Sequence, residues 1–214
     1  MRGRNGLRSK LRCAIWSPPL ALTLLCVTEA QAAQKHARDR SFFQYGVALV
    51  AEFVATTGRL CPGGAACIFG SGGGIAARGG WRASNQWYFG GVYEVSKHDA
   101  HTLYRLATFQ QLRGEARYYI WTTRSTQPVF TLGGGLAGLG NELGIDALGP
   151  IGSCAVGFES EVSNNVGLGL AVAYRAAMFN SFTDSAGTRR YGGPVQMIGI
   201  ELSIDLLDRS GGAW

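Results

Sequence analysis

The stretch VGLGLAVAYRAAM at 166–178 decides the fold. One parity holds Val166, Leu168, Leu170, Val172, Tyr174, Ala176 and Met178. The other holds Gly167, Gly169, Ala171, Ala173, Arg175 and Ala177. Successive side chains of a strand point to opposite faces, so this segment has one greasy face and one small or charged face.

The same rhythm marks strands at about 42–56, 73–83, 86–96, 104–121, 128–139, 151–162, 166–178 and 195–206. Most of these are long enough for a tilted membrane strand, which needs about 9–11 residues. The connections alternate in length: 57–72, 97–103, 140–150 and 179–194 are long, whereas Ser84-Asn85, 122–127 and Ser163-Asn164-Asn165 are short. An even strand count returns both termini to the short-turn side, the arrangement of a barrel inserted from the periplasm.

Alternation alone does not say which face is inside. A soluble barrel turns its apolar parity inward. Three features favour the inverse here. The charged parity is also the small parity (Gly133, Gly135, Ala155, Gly157, Gly167, Gly169), as an eight-strand lumen filled by its own side chains requires. Outward aromatics gather near the short turns, at Phe43, Tyr45, Trp81, Trp87, Phe89, Tyr118, Phe130 and Phe158, with Phe53, Tyr93, Tyr104 and Tyr174 toward the other ends; two such girdles mark two membrane interfaces. Lysine is scarce, with only Lys35 and Lys97 outside the leader, in a chain that is only 16% charged, against roughly 25% in soluble domains. The expected fold is therefore all-β: an eight-stranded antiparallel up-and-down transmembrane β-barrel of meander topology, spanning 42–206. Only closure satisfies every backbone group of such a sheet in lipid.

Residues 1–32 read as a cleaved secretory signal peptide. Arg2, Arg4, Arg8, Lys10 and Arg12 form its positive region, Leu20 to Val27 its apolar core, and Ala30-Gln31-Ala32 its small-residue cleavage site. Leu25 before Cys26 is bulkier than a lipidation site wants, which favours ordinary cleavage. Residues 33–41 are a flexible lead-in and 207–214 a C-terminal tail. The leader carries five of the 20 Lys+Arg and one of the 14 Asp+Glu, so the remainder is near +2 and no nucleic-acid partner is implied. Cys61 and Cys67, in a Gly/Pro/Ala segment of an exported chain, are expected to form a loop disulfide. They match no zinc-site spacing, and no cofactor or metal is expected.

The interior parity collects Glu52, Arg78, Arg82, Glu94, Arg113, Glu115, Arg117, Glu159, Glu161, Arg175, Glu201 and Asp205. Buried charges are costly unless paired, so these read as an ion-pair network that plugs the lumen. A polar conduit is the alternative. Glu159 and Glu161 are expected to be arginine partners rather than an acid/base pair. His98 and His101 fall in the 97–103 connection and read as exposed loop residues; no nucleophile constellation accompanies them. Arg189, Arg190 and Tyr191 read as a solvated loop tip. The glycine runs 72–74 and 133–135 lack the Lys-Ser/Thr of a phosphate loop.

The leader, the alternating strands, the alternating turns and the interior ion pairs resemble the small eight-stranded outer-membrane β-barrel family, the outer membrane protein A-like transmembrane barrels and their relatives. The resemblance covers 42–206. It implies a bacterial outer-membrane location, a surrounding of outer-membrane lipid and lipopolysaccharide, delivery by the barrel-assembly machinery, a monomer, and a non-enzymatic structural or surface-interaction role. A narrow pore or carrier, a soluble secreted ligand-binding barrel and a lipid-modifying enzyme are the alternatives. Families of this kind often end in an aromatic residue of the last strand; here the residues after Leu206 separate the strand from Trp214.

Overall fold

The computed structural model describes residues 41–61, 67–83, 86–101, 103–104, 106–120, 125–184, 187 and 189–209. The leader, residues 33–40 of the lead-in, the Ser84-Asn85 turn and Trp214 lie outside them. The strands are β1 (Phe42–Thr56), β2 (Gly72–Arg82), β3 (Trp87–His98), β4 (Ala107–Tyr119), β5 (Thr126–Asn141), β6 (Ala147–Ser163), β7 (Val166–Phe179), β8 (Phe182–Thr183), β9 (Arg189–Arg190) and β10 (Gly193–Asp208). Eight of them close into one barrel in the order β1-β10-β7-β6-β5-β4-β3-β2, every pair antiparallel; β8 and β9 form a separate hairpin in the last connection.

The barrel closes because Leu49 of β1 lies opposite Ile75 of β2 and Leu202 of β10, all three on the apolar parity. The faces separate sharply. Leu49, Ile75 and Leu112 are 62%, 63% and 61% exposed, whereas Ala48, Ala76 and Arg113 beside them are 4%, 6% and 7% exposed. Apolar side chains thus cover the outside of all eight barrel strands. A water-soluble monomer does not expose so continuous an apolar surface.

Glycines 134 and 135 show the same division between neighbours. A Cβ on the outward Gly134 would meet nothing closer than the Ile151 carbonyl oxygen at 3.7 Å, while one on the inward Gly135 would collide with the Leu112 carbonyl and approach Arg113 Cα to 2.8 Å. Strands that approach so closely on the concave face leave no room for a side chain there.

Two expectations need correction. The barrel runs to Asp208, so Leu207 and Asp208 belong to a strand and not to the tail. The connection expected at 140–150 is only 142–146, shorter than the 120–125 connection on the opposite side. The ladder of β5 and β6 persists because Leu139 and Ala147, paired across it, are both buried inside. The bulges between Val54 and Thr56 and between Glu161 and Ser163 shift the register locally near strand ends.

Candidate functional site in the barrel lumen

The inward side chains form layers. Nearest the short turns, Glu159 accepts from Arg82 Nη1 at 3.3 Å, Tyr119 Oη at 2.9 Å and Gln44 Nε2 at 3.2 Å. Arg82 also donates to Gln127 Oε1 at 2.6 Å and lies 3.6 Å from the Tyr119 ring centroid. Below them Arg209 Nη2 lies 3.1 Å from Glu161 Oε1. Each long cation is therefore held by an anion and by an amide or ring, as burial demands.

The middle layer pairs Arg78 Nε with Asp205 Oδ1 at 2.9 Å and Arg117 Nη2 with Glu115 Oε1 at 2.8 Å. Here the wall of β6 and β7 is Ala155, Gly157, Gly169 and Ala171, and a cavity of about 40 Å³ remains beside it. The Nε atoms of Arg113 and Arg117, both on cavity-lining residues, have no hydrogen-bond partner among the described residues. A water needs about 10–15 Å³, so the cavity has room for waters that satisfy these donors.

Arg175 centres the third layer. Its guanidinium meets Glu52, Glu201 and, at 2.7 Å, Glu94. Arg113 Nη2 holds the other Glu94 oxygen at 2.8 Å, and Gln111 Nε2 donates to both Glu52 and Glu94 at 3.3 and 3.2 Å. The carboxylates and guanidiniums of these three layers are all buried or half-buried.

Above the charges the lumen becomes apolar. Phe109, Leu139, Phe179, Val195 and Met197 pack with Leu60, Ile68 and Phe69, which the 57–71 connection folds over the barrel mouth. Cys61 and Cys67 are joined as a disulfide and pack against this cap. Tyr104, expected in the outer girdle, is buried in the cap instead. Burial and its 2.7 Å hydrogen bond to Asp146 raise its phenol well above the usual value, so it stays a neutral donor. Phe43, Tyr45, Trp81, Trp87, Phe89, Phe130 and Phe158 are exposed; Trp87 stacks on Phe89 and packs against the half-buried Tyr118.

His98 departs from the expectation of an exposed loop residue. It ends β3 on the inward parity and is 2% exposed. Its Nδ1 lies 2.7 Å from Gly70 O, its Nε2 lies 3.0 Å from both Glu52 Oε2 and Ser96 Oγ, and Phe69 stacks on its ring at 4.3 Å. Ser96 and Glu52 meet the same nitrogen, whereas a nucleophile relay uses opposite nitrogens of the imidazole. His101 lies exposed in the 99–106 connection with φ of 46°. Arg190 pairs with Asp184 at 2.9 Å within the β8–β9 loop.

His98 and Arg209 are interior basic residues that sequence reading missed. The five expected arginines left the seven carboxylates in excess; Arg209 meets Glu161 and His98 meets Glu52. Position 98 could have been found by carrying the Glu94, Ser96 parity two residues further.

No protein-family model matches the sequence, and a search of curated proteins finds no match. Among solved structures the chain is similar to Neisserial surface protein A, with TM-score 0.52 and 15% identity over 78% of this chain and 96% of that one. The outer membrane protein OprG from Pseudomonas aeruginosa aligns with TM-score 0.48 at 15% identity over 78% and 95%. Ail, the attachment invasion locus protein of Yersinia pestis, aligns with TM-score 0.41 at 10% identity over 78% and 97%. The fold is that of the small eight-stranded outer-membrane β-barrels, and the continuous apolar exterior is the surface that a bilayer-spanning barrel turns to lipid.

Proposed function

We propose that the protein is a closed, non-conducting outer-membrane barrel with a structural or surface-interaction role exercised through its long-side connections. The observation that carries this reading is the occupancy of the lumen. Three layers of paired ions and an apolar cap stand in series along it. The cavity between the layers is about 40 Å³, room for a few waters and not for a passing solute. The exposed tips of the long-side connections, Leu143 and Tyr191 among them, are the surfaces left for a partner.

Outer-membrane lipid and lipopolysaccharide would surround the apolar belt, and the barrel-assembly machinery would insert it. A monomer suffices, since closure leaves no barrel strand edge to pair. Planar bilayers containing the refolded protein test the reading. Ion-pair and cap layers in series predict no steady conductance. Stable open channels in the unmodified protein would favour the narrow-pore reading instead.

A further inference from the structure

We infer that His98 is an imidazolium and that its charge latches the arm 68–70 over the barrel mouth, which makes the cap a proton-dependent lid. Both ring nitrogens face oxygens that only accept: Gly70 O at 2.7 Å from Nδ1, and the Glu52 carboxylate at 3.0 Å from Nε2. Ser96 Oγ also sits 3.0 Å from Nε2, with Phe109 O at 3.3 Å and the Glu52 carboxylate as further acceptors for its one hydrogen; were that hydrogen given to Nε2, the nitrogen lone pair would still face Glu52. A neutral imidazole has a single N–H and would leave one of these acceptors facing a lone pair.

The proton belongs on the ring and not on Glu52. Arg175 and Gln111 also donate to that carboxylate, and such donors favour its charged form. The charge balance agrees, since a positive His98 matches the seventh interior carboxylate.

The arm depends on this bond. Ile68 and Phe69 are fully buried cap residues, and Phe69 stacks on the ring itself. The Gly70 amide donates to Asp99 O at 2.6 Å, so the strand ladder continues into the arm directly beside the latch. Of the charged groups in the layer below, Glu52 of β1 touches the ring, and Glu94 of its own strand, Arg113 of β4, Arg175 of β7 and Glu201 of β10 complete that layer. β2 presents only glycines 72 and 74 there, and Lys97 and Asp99 flank the ring in sequence.

The direction follows from the protonation state. The latch is complete while both ring nitrogens carry a proton and is lost when one of them leaves. At that point either Gly70 O or Glu52 loses its donor, and the arm loosens.

Nitrogen-15 NMR of the refolded full chain in detergent micelles tests this. The His98 ring should show two protonated nitrogens at pH 6. The Phe69 and Gly70 amide signals should move with the same midpoint as the ring. Hydrogen-exchange protection of Gly70, relative to Val92 in the barrel wall, should fall about tenfold across that midpoint. His98→Gln, which retains one donor, should show the loosened arm at every pH while keeping the heat-shifted gel mobility of a folded barrel. A singly protonated ring at pH 6 would overturn the inference, as would arm signals that stay fixed while the ring loses its proton. The wild-type titration decides the matter even where the variant fails to fold, and it is independent of the conductance result.

Discussion

Replacing Arg175 by Met is expected to destabilise the folded barrel by about 3–5 kcal/mol, the usual cost of removing one partner from a buried ion cluster. Arg175 is fully buried, and its guanidinium is the common partner of Glu52, Glu94 and Glu201. Methionine fills much of the volume but leaves those carboxylates facing one another with only Arg113, Gln111 and His98 to hold them. Urea unfolding in lipid vesicles, followed by tryptophan fluorescence, gives the number. Adding Glu94→Gln and Glu201→Gln to Arg175→Met should recover part of the loss, because the neutral amides end the repulsion. A loss below about 1 kcal/mol, the level of an exposed salt bridge, would mean that the layer is wet and its pairs are incidental.

The second large effect lies on the opposite face. Leu202 sits midway along the outward row Ile198, Ile200, Leu202, Ile204 and Leu206 of β10. Leu202→Arg is expected to cost about 2–4 kcal/mol, the penalty of a cation near the bilayer midplane. Leu143→Arg, at the exposed tip of the 142–146 connection, is expected to stay within about 0.5 kcal/mol. In a soluble barrel both substitutions would fall on a hydrated surface and differ little. The contrast between the two positions therefore reports the solvent that the outer face meets.

The orientation of the barrel strands was legible in the sequence because side-chain period two survives through the middle of each. Leu168, Leu170 and Val172 alternate with Gly169 and Ala171, and no helical period reproduces that. The small size of the charged parity carried the inside-out decision. It is visible in the structure as Gly135, whose Cβ would strike the next strand. The cap was not legible. At the upper ends of β4, β5 and β10 the inward parity turns apolar, as in Phe109, Leu139, Val195 and Met197, and the contrast that marks a charged lumen fades there. The pairing of the interior charges was also out of reach. Arg78 meets Asp205 across 127 positions of chain, a distance that register alone determines. His98 was missed because β3 continues two residues beyond its apparent end, into a stretch of Lys, His and Asp that reads as a loop.

Cell fractionation followed by gel electrophoresis of unheated and heated samples is the most direct test of a closed barrel with its apolar face to lipid. The protein should co-sediment with outer membranes, resist carbonate extraction, and migrate as a compact form in cold detergent that shifts on boiling. Recovery from the soluble periplasm, with no detergent-resistant folded form, would contradict the account.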